Sequence, residues 1–228
     1  MSYRKDILVE KPRLRSGLFY FDENIIENKK ISGLIGVDEA GRGPLAGPVV
    51  ACAVYLERDI AENLSQDIND SKKISAKRRE ALFKEMIASG VKYSFSYSGN
   101  EEIDKMNILN ATLLAMKKAV ENLYPSQSIS PTDLLVIVDG PHKIKNLNLN
   151  QMPIIDGDAK SLSIACASIF AKVLRDRWMD FIDREYPNYN FKKHKGYGTK
   201  LHMEMLKKYG ICKYHRKSFA PIRCICEK

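Results

Sequence analysis

LIGVDEAGRGPLAGPVVACAVYL, residues 34–56, is the stretch whose reading decides the fold of this chain. Leu34 to Val37 reads as a short buried strand that ends in two acids, Asp38 and Glu39. The loop from Ala40 to Pro48 follows, and its glycines and prolines break either regular structure. Val49 to Leu56 is a second apolar run of strand length, β-branched at its start. Two strands joined so briefly argue against a purely parallel, doubly wound sheet.

Outward from this stretch, strands and helices interleave. Ser75 is placed to cap a helix that runs through Ser89 and closes at Gly90. Val91, Tyr93, Phe95 and Tyr97 alternate with Lys92, Ser94, Ser96 and Ser98, which predicts a strand with one buried face. Asn100 caps a helix to about Leu123. Leu134 to Val138 is an apolar strand ending in Asp139, and Pro153 to Ile155 a shorter one ending in Asp156, Gly157 and Asp158. From Ser161 a long helix carries Ile169, Phe170, Val173, Leu174, Trp178, Phe181 and Ile182 as an amphipathic stripe. A last helix covers Lys200 to Tyr209 and stops at Gly210. Residues 1–32 read as a polar N-terminal extension, with Leu18, Phe19 and Tyr20 as a docking point. The pattern predicts an α/β fold, a mixed β-sheet flanked by helices with a C-terminal helical segment.

Composition narrows the partners. The 228 residues are 44% hydrophobic and 29% charged, enough for one folded domain with a core of its own. No apolar run approaches the ~20 residues that span a bilayer, so no membrane association is expected. Cys52 and Cys166 sit in apolar runs, and Cys212, Cys224 and Cys226 have no partners at zinc spacing. An odd cysteine count without a hydrophobic leader points to the cytoplasm. The net charge of +9 points to a polyanionic partner, and nothing in the pattern demands more than a monomer.

The chemistry lies in four acids where predicted strands end: Asp38, Glu39, Asp139 and Asp158. Taken singly, each is an ordinary cap at a strand end. Together, beside a Gly-Arg-Gly loop in a basic chain, they predict an all-oxygen site for Mn²⁺ or Mg²⁺. Two such ions ~3.5–4 Å apart activate a water and stabilise the leaving oxygen of a phosphodiester. Neighbours on a regular strand face opposite sides, so Asp38 and Glu39 share the site only if the strand bends, which the glycine-rich loop makes plausible. Lys72, Lys73, Lys193, His194, Lys195, Lys200 and Arg216 are expected to contact phosphates, and Lys160 and Ser161 to reach the site.

Residues 36–50, GVDEAGRGPLAGPVV, resemble the signature segment of the type 2 ribonuclease H family, ribonuclease HII. The resemblance continues in Asp70-Ser-Lys-Lys73, Val138-Asp-Gly140, Gly157-Asp-Ala-Lys-Ser161, Ile164 to Lys172, Arg175-Asp176, Lys193 to Thr199 and His215 to Phe219, in family order. It implies a ribonuclease H-like catalytic domain over residues 33–228 with Asp38, Glu39, Asp139 and Asp158 as metal ligands. Asp158 is preferred to Asp156 because it follows Gly157 and precedes Ala-Lys-Ser. The resemblance further implies that Gly41, Arg42 and Gly43 read the 2′-hydroxyl through their backbone and that Tyr197 stacks beside the junction. The implied substrates are RNA–DNA hybrids and DNA duplexes with embedded ribonucleotides, cut 5′ to the ribonucleotide. Asp176 reads as a helix-surface acid or a support for the ligands.

Other chemistries fit less well. The chain lacks the full dinucleotide and P-loop glycine patterns, a His-Glu-x-x-His zinc motif and a Gly-x-Ser-x-Gly elbow. Two alternatives remain, an integrase-like phosphotransferase with the same metal chemistry and a non-catalytic nucleic-acid-binding module.

Overall fold

The apolar runs assemble into one sheet in a computed structural model that describes residues 16–64, 68, 74–124 and 130–227. Its strands are β1 (Gly33–Ala40), β2 (Val49–Tyr55), β3 (Lys92–Ser98), β4 (Leu134–Asp139) and β5 (Asn150–Ile154). They lie side by side in the order β3-β2-β1-β4-β5. The hairpin β1–β2 and the pair β2–β3 are antiparallel, whereas β1–β4 and β4–β5 are parallel. The sheet is therefore mixed, as the short connections implied.

Helices cover both faces. They are α1 (Gly17–Lys29), α2 (Arg58–Asn63), α3 (Ala76–Ala88), α4 (Asn100–Met106), α5 (Ile108–Leu123), α6 (Leu162–Glu185), α7 (Phe191–His194), α8 (Lys200–Tyr209) and α9 (Ala220–Cys226). One face carries α6 with α1 and α3, burying Cys52, Val54, Cys166, Ile169 and Phe170. The opposite face carries α5, whose Ala115, Met116, Ala119 and Val120 pack on Val37, Ala51, Ala53 and Val136. A third cluster, around Phe191, Met179, Ile182, Leu206 and Ile222, joins the C-terminal helices to the far half of α6. No helix among the described residues is long and apolar enough to cross a membrane.

Several expectations are corrected. β1 does not stop before its acids: its ladder with β2 runs unbroken through Asp38↔Cys52 and Glu39↔Ala51 to Ala40↔Val50. β3 has the expected alternation, but both of its faces meet a helix, and Tyr93 stacks on Phe170 of α6 with ring centroids 4.2 Å apart. Its serines lie toward α5, and the buried Ser98 donates its hydroxyl to the Ala111 carbonyl at 3.0 Å. Phe95 and Tyr97 are left 42% and 43% exposed, because β3 is an edge strand and α6 lies mainly over β1 and β2. Phe181, expected in the stripe of α6, is likewise exposed. The single helix expected from Asn100 breaks at Asn107, whose φ is 70°. Within the stretch read as a polar extension, residues 17–29 form α1, with Phe19 of the expected docking point buried.

Candidate active site

The parallel pairing of β1 with β4 brings the acids together. The register Val37↔Val138 places Asp38 beside Asp139, where β4 ends. Asp38 is buried, and its Oδ1 accepts the Glu39 N–H at 2.7 Å. Burial, then the charges of Glu39 and Asp139, holds its carboxyl well above the ordinary carboxylate range, while a hydrogen bond from Ser168 on α6 pulls the other way. Glu39 is also raised, mainly by burial with Asp139 adding, and Arg42 opposes the shift. The Arg42 Nη1 lies 3.4 Å from Glu39 Oε1, so this side chain folds back over the acids.

Asp139 is fixed from the other side. Its Oδ1 accepts the Gly157 N–H at 2.7 Å. Gly157 opens a 3₁₀ turn, Gly157–Ala159, that carries Asp158, which is buried. A side chain at Gly157 would lie 2.6 Å from Ile164 and 3.2 Å from Asp139 Oδ1. Asp156 takes a left-handed φ of 54° and points away as an exposed residue, which favours Asp158 as the inward acid.

The donors are thus carboxylate oxygens in a buried setting, with one partly exposed arginine as local compensation. Negative charge gathered in a buried setting is costly unless cations balance it. Oxygen donors of this kind suit a hard divalent ion. Among the described residues, no three His, Cys, Asp or Glu side chains close into an ion cage by themselves. An open set is what Mg²⁺-like ions accept, since they keep waters and substrate phosphates as ligands.

The glycine loop stands beside the acids on two buried arginines. Arg216 donates from Nη2 to the Gly41 carbonyl at 2.6 Å, from Nη1 to the Arg42 carbonyl at 2.9 Å and from Nε to the Gly47 carbonyl at 3.0 Å. Arg175, on α6, donates from Nε to the Pro48 carbonyl at 3.1 Å and from Nη2 to the Lys195 carbonyl at 3.0 Å. Gly41 holds φ at 101°, and a methyl there would lie 2.0 Å from Arg175 Nε. Gly43 is exposed and open, with the Tyr197 ring 3.7 Å from where a methyl would stand. Tyr197 is 43% exposed. A glycine backbone beside an accessible ring is a surface a sugar can approach.

The other expected contacts divide. Lys193 and Lys200 are exposed, and Lys160 is exposed with its Nζ on the Ile155 carbonyl. Lys195 is paired with Asp180. Ser161 is buried as the N-cap of α6. His194 is buried too, bonded to the Tyr189 carbonyl at 2.7 Å and stacked on His202. Arg216 faces no phosphate; it is buried, with its donors on loop carbonyls. Asp70 to Lys73 lie outside the described residues. Sequence reading missed the roles of Ser168 and Arg175. Their signal was a polar residue every three or four positions, at 168, 172 and 175, on a face that also buries Ile164 and Met179.

Known proteins resemble this chain over most of its length. The family model described as Ribonuclease HII matches residues 35–222. A curated Ribonuclease HII of Caldicellulosiruptor bescii is 51% identical over 208 residues, covering 91% of this chain and 96% of that protein. One from Fusobacterium nucleatum is 52% identical over 187 residues, covering 82% and 85%. Among solved structures, ribonuclease H2 from Pyrococcus horikoshii superposes with a TM-score of 0.69 at 27% identity, covering 86% of this chain and 98% of that one.

Proposed function

Because this chain belongs to the ribonuclease HII family and is a ribonuclease H, we propose that it cuts the RNA strand of RNA–DNA hybrids and DNA strands on the 5′ side of embedded ribonucleotides. The products are a 3′-hydroxyl and a 5′-phosphate. The observation that carries this reading is the convergence of Asp38, Glu39 and Asp139 at one sheet edge, beside a glycine loop that presents its backbone next to Tyr197.

Asp38, Glu39, Asp139 and Asp158 would hold two Mg²⁺ or Mn²⁺ ions. When bound, these supply an activated water and a counter-charge for the phosphorane-like transition state. The protein's own residues do the rest. Ser168 and the Glu39 N–H orient Asp38, and the Gly157 N–H orients Asp139. Arg216 and Arg175 turn the loop carbonyls inward, leaving Gly43 open to a sugar whose 2′-hydroxyl distinguishes RNA from DNA. Lys193 and Lys200, with Lys72 and Lys73, track the phosphates. Residues 33–228 are the catalytic unit, acting as a monomer in the cytoplasm.

The test is cleavage of a labelled DNA duplex holding one ribonucleotide, with Mg²⁺, Mn²⁺ or EDTA. Asp139→Asn runs alongside. The expected result is one metal-dependent cut 5′ to the ribonucleotide, reduced at least ~100-fold in the variant, which still binds duplex. Salt-sensitive binding without any cut would make the chain a binding module and overturn the proposal.

A further inference from the structure

We infer that Asp22, on α1 and outside the acidic site, is a positioning residue for the turn that carries Asp158. The inference rests on the reading of Asp158 as a metal ligand and deepens it.

Asp22 is buried against the start of α6. Its Oδ2 accepts both the Ser163 N–H at 2.8 Å and the Ser163 hydroxyl at 2.6 Å. Among the described residues no ion pair explains its place. The neighbouring Arg58 pairs with Glu23 at 2.7 Å, and Asp22 Oδ1 has no hydrogen-bond partner among the described residues. It lines a cavity of about 170 Å³ with Phe19, Ile26, Tyr55 and Leu162. A carboxylate in such surroundings is expensive, and its hydrogen bonds among the described residues all go to the first turn of α6.

The turn they hold leads into the site. The Ser161 N–H donates to the Gly157 carbonyl at 2.8 Å, and the Lys160 N–H donates to the same carbonyl at 3.0 Å. The Gly157 N–H in turn holds Asp139 at 2.7 Å. Asp22 thus fixes the first turn of α6 through Ser163, the Ser161 at the head of that turn holds Gly157, and Gly157 holds Asp139, with Asp158 riding on the turn between. Close packing of Gly157 on Ile164 leaves this turn little room to settle elsewhere. Loosening the first turn of α6 shifts a ligand that Asp22 never touches. Supports of this kind are typically worth ~10–100-fold in metal affinity.

The experiment is Mn²⁺ binding by titration calorimetry, on the full chain, for the wild type, Asp22→Ala, Asp22→Asn, Ser163→Ala and Asp158→Asn. Each is measured well below its own Tm, with cleavage recorded at low and saturating Mn²⁺. The expected result is a Kd raised about tenfold in Asp22→Ala, less in Asp22→Asn and Ser163→Ala, with much of the cleavage rate restored at saturating Mn²⁺. An Asp22→Ala protein with a lower Tm but the wild-type Kd would reduce Asp22 to a helix cap and overturn the inference. If Asp22→Ala does not fold, the same comparison of Kd with Tm is read from Asp22→Asn and Ser163→Ala. Wild-type affinity in Asp158→Asn would instead refute the ligand assignment itself, which separates the two failures.

Discussion

Two glycines only two positions apart in the recognition loop answer to different constraints. Gly41 is constrained from within: its φ of 101° and the 2.0 Å approach to Arg175 leave no place for a methyl. Gly41→Ala is expected to lower stability by at least ~2 kcal/mol, seen as a fall in the urea midpoint, and to lower cleavage with it. Gly43 is open, so Gly43→Ala is expected to keep the wild-type midpoint within ~0.5 kcal/mol while raising KM for the ribonucleotide-containing duplex. Equal loss of stability in both variants would contradict this division. At this scale the meeting of Asp38 with Asp139 was legible because each ends an apolar run, whereas Asp158 lies on a turn past the end of its strand. The arginines were not, because a buried charge on a helix reads like any surface charge until the carbonyls it serves are located.

Between residue and molecule, the helix break and the edge strand set the next expectations. Asn107 holds φ at 70° and accepts the Asn110 N–H at 3.0 Å, so it both turns the chain and caps α5. Asn107→Ala is expected to cost ~1–2 kcal/mol by chemical denaturation. Phe95→Ser is expected to cost under ~1 kcal/mol, against ~3–5 kcal/mol for truncating a buried phenylalanine such as Phe170. A large loss in Phe95→Ser would show that β3 is covered. The period of β3 could be read from the sequence, but not which helix meets each face. The serine face goes to α5, whose alanines come close only to a surface of serines and alanines. The first helix was hidden for a related reason: the face it buries includes an acid, Asp22, which interrupts the apolar stripe.

For the whole molecule, the histidines set the pH range. His194, His202 and His215 are buried together, with His202 and His215 joined Nε2 to Nε2 at 3.0 Å. Burial depresses all three, His202 and His215 to about 4. The unfolded chain takes up these protons near 6.5, before the folded one does, so the C-terminal helices lose stability as pH falls from about 6.5 toward 4 and regain it above. The expected signature is that the ring resonances of His202 and His215 stay in the neutral form at pH 5.5. Amide exchange across residues 187–222, corrected for intrinsic rate, should then accelerate on acidification more than exchange in β1 and β4. Titration of these rings near 6.5 would show the cluster to be hydrated. The cluster matters to the site because the loop is stitched to this region: the Leu45 N–H donates to Gly196, the Gly47 N–H to Tyr214 and the Arg216 N–H to Leu45.

That stitching has a consequence in time. Ribosomes make Gly41 long before Arg216, which stands 175 positions later in the chain. A nascent chain can carry all four acids and pair β1 with β4 while its recognition loop still lacks the guanidinium that fixes it. In the function proposed above, the reading of the 2′-hydroxyl therefore waits for a residue made 175 positions after the loop glycine that it fixes.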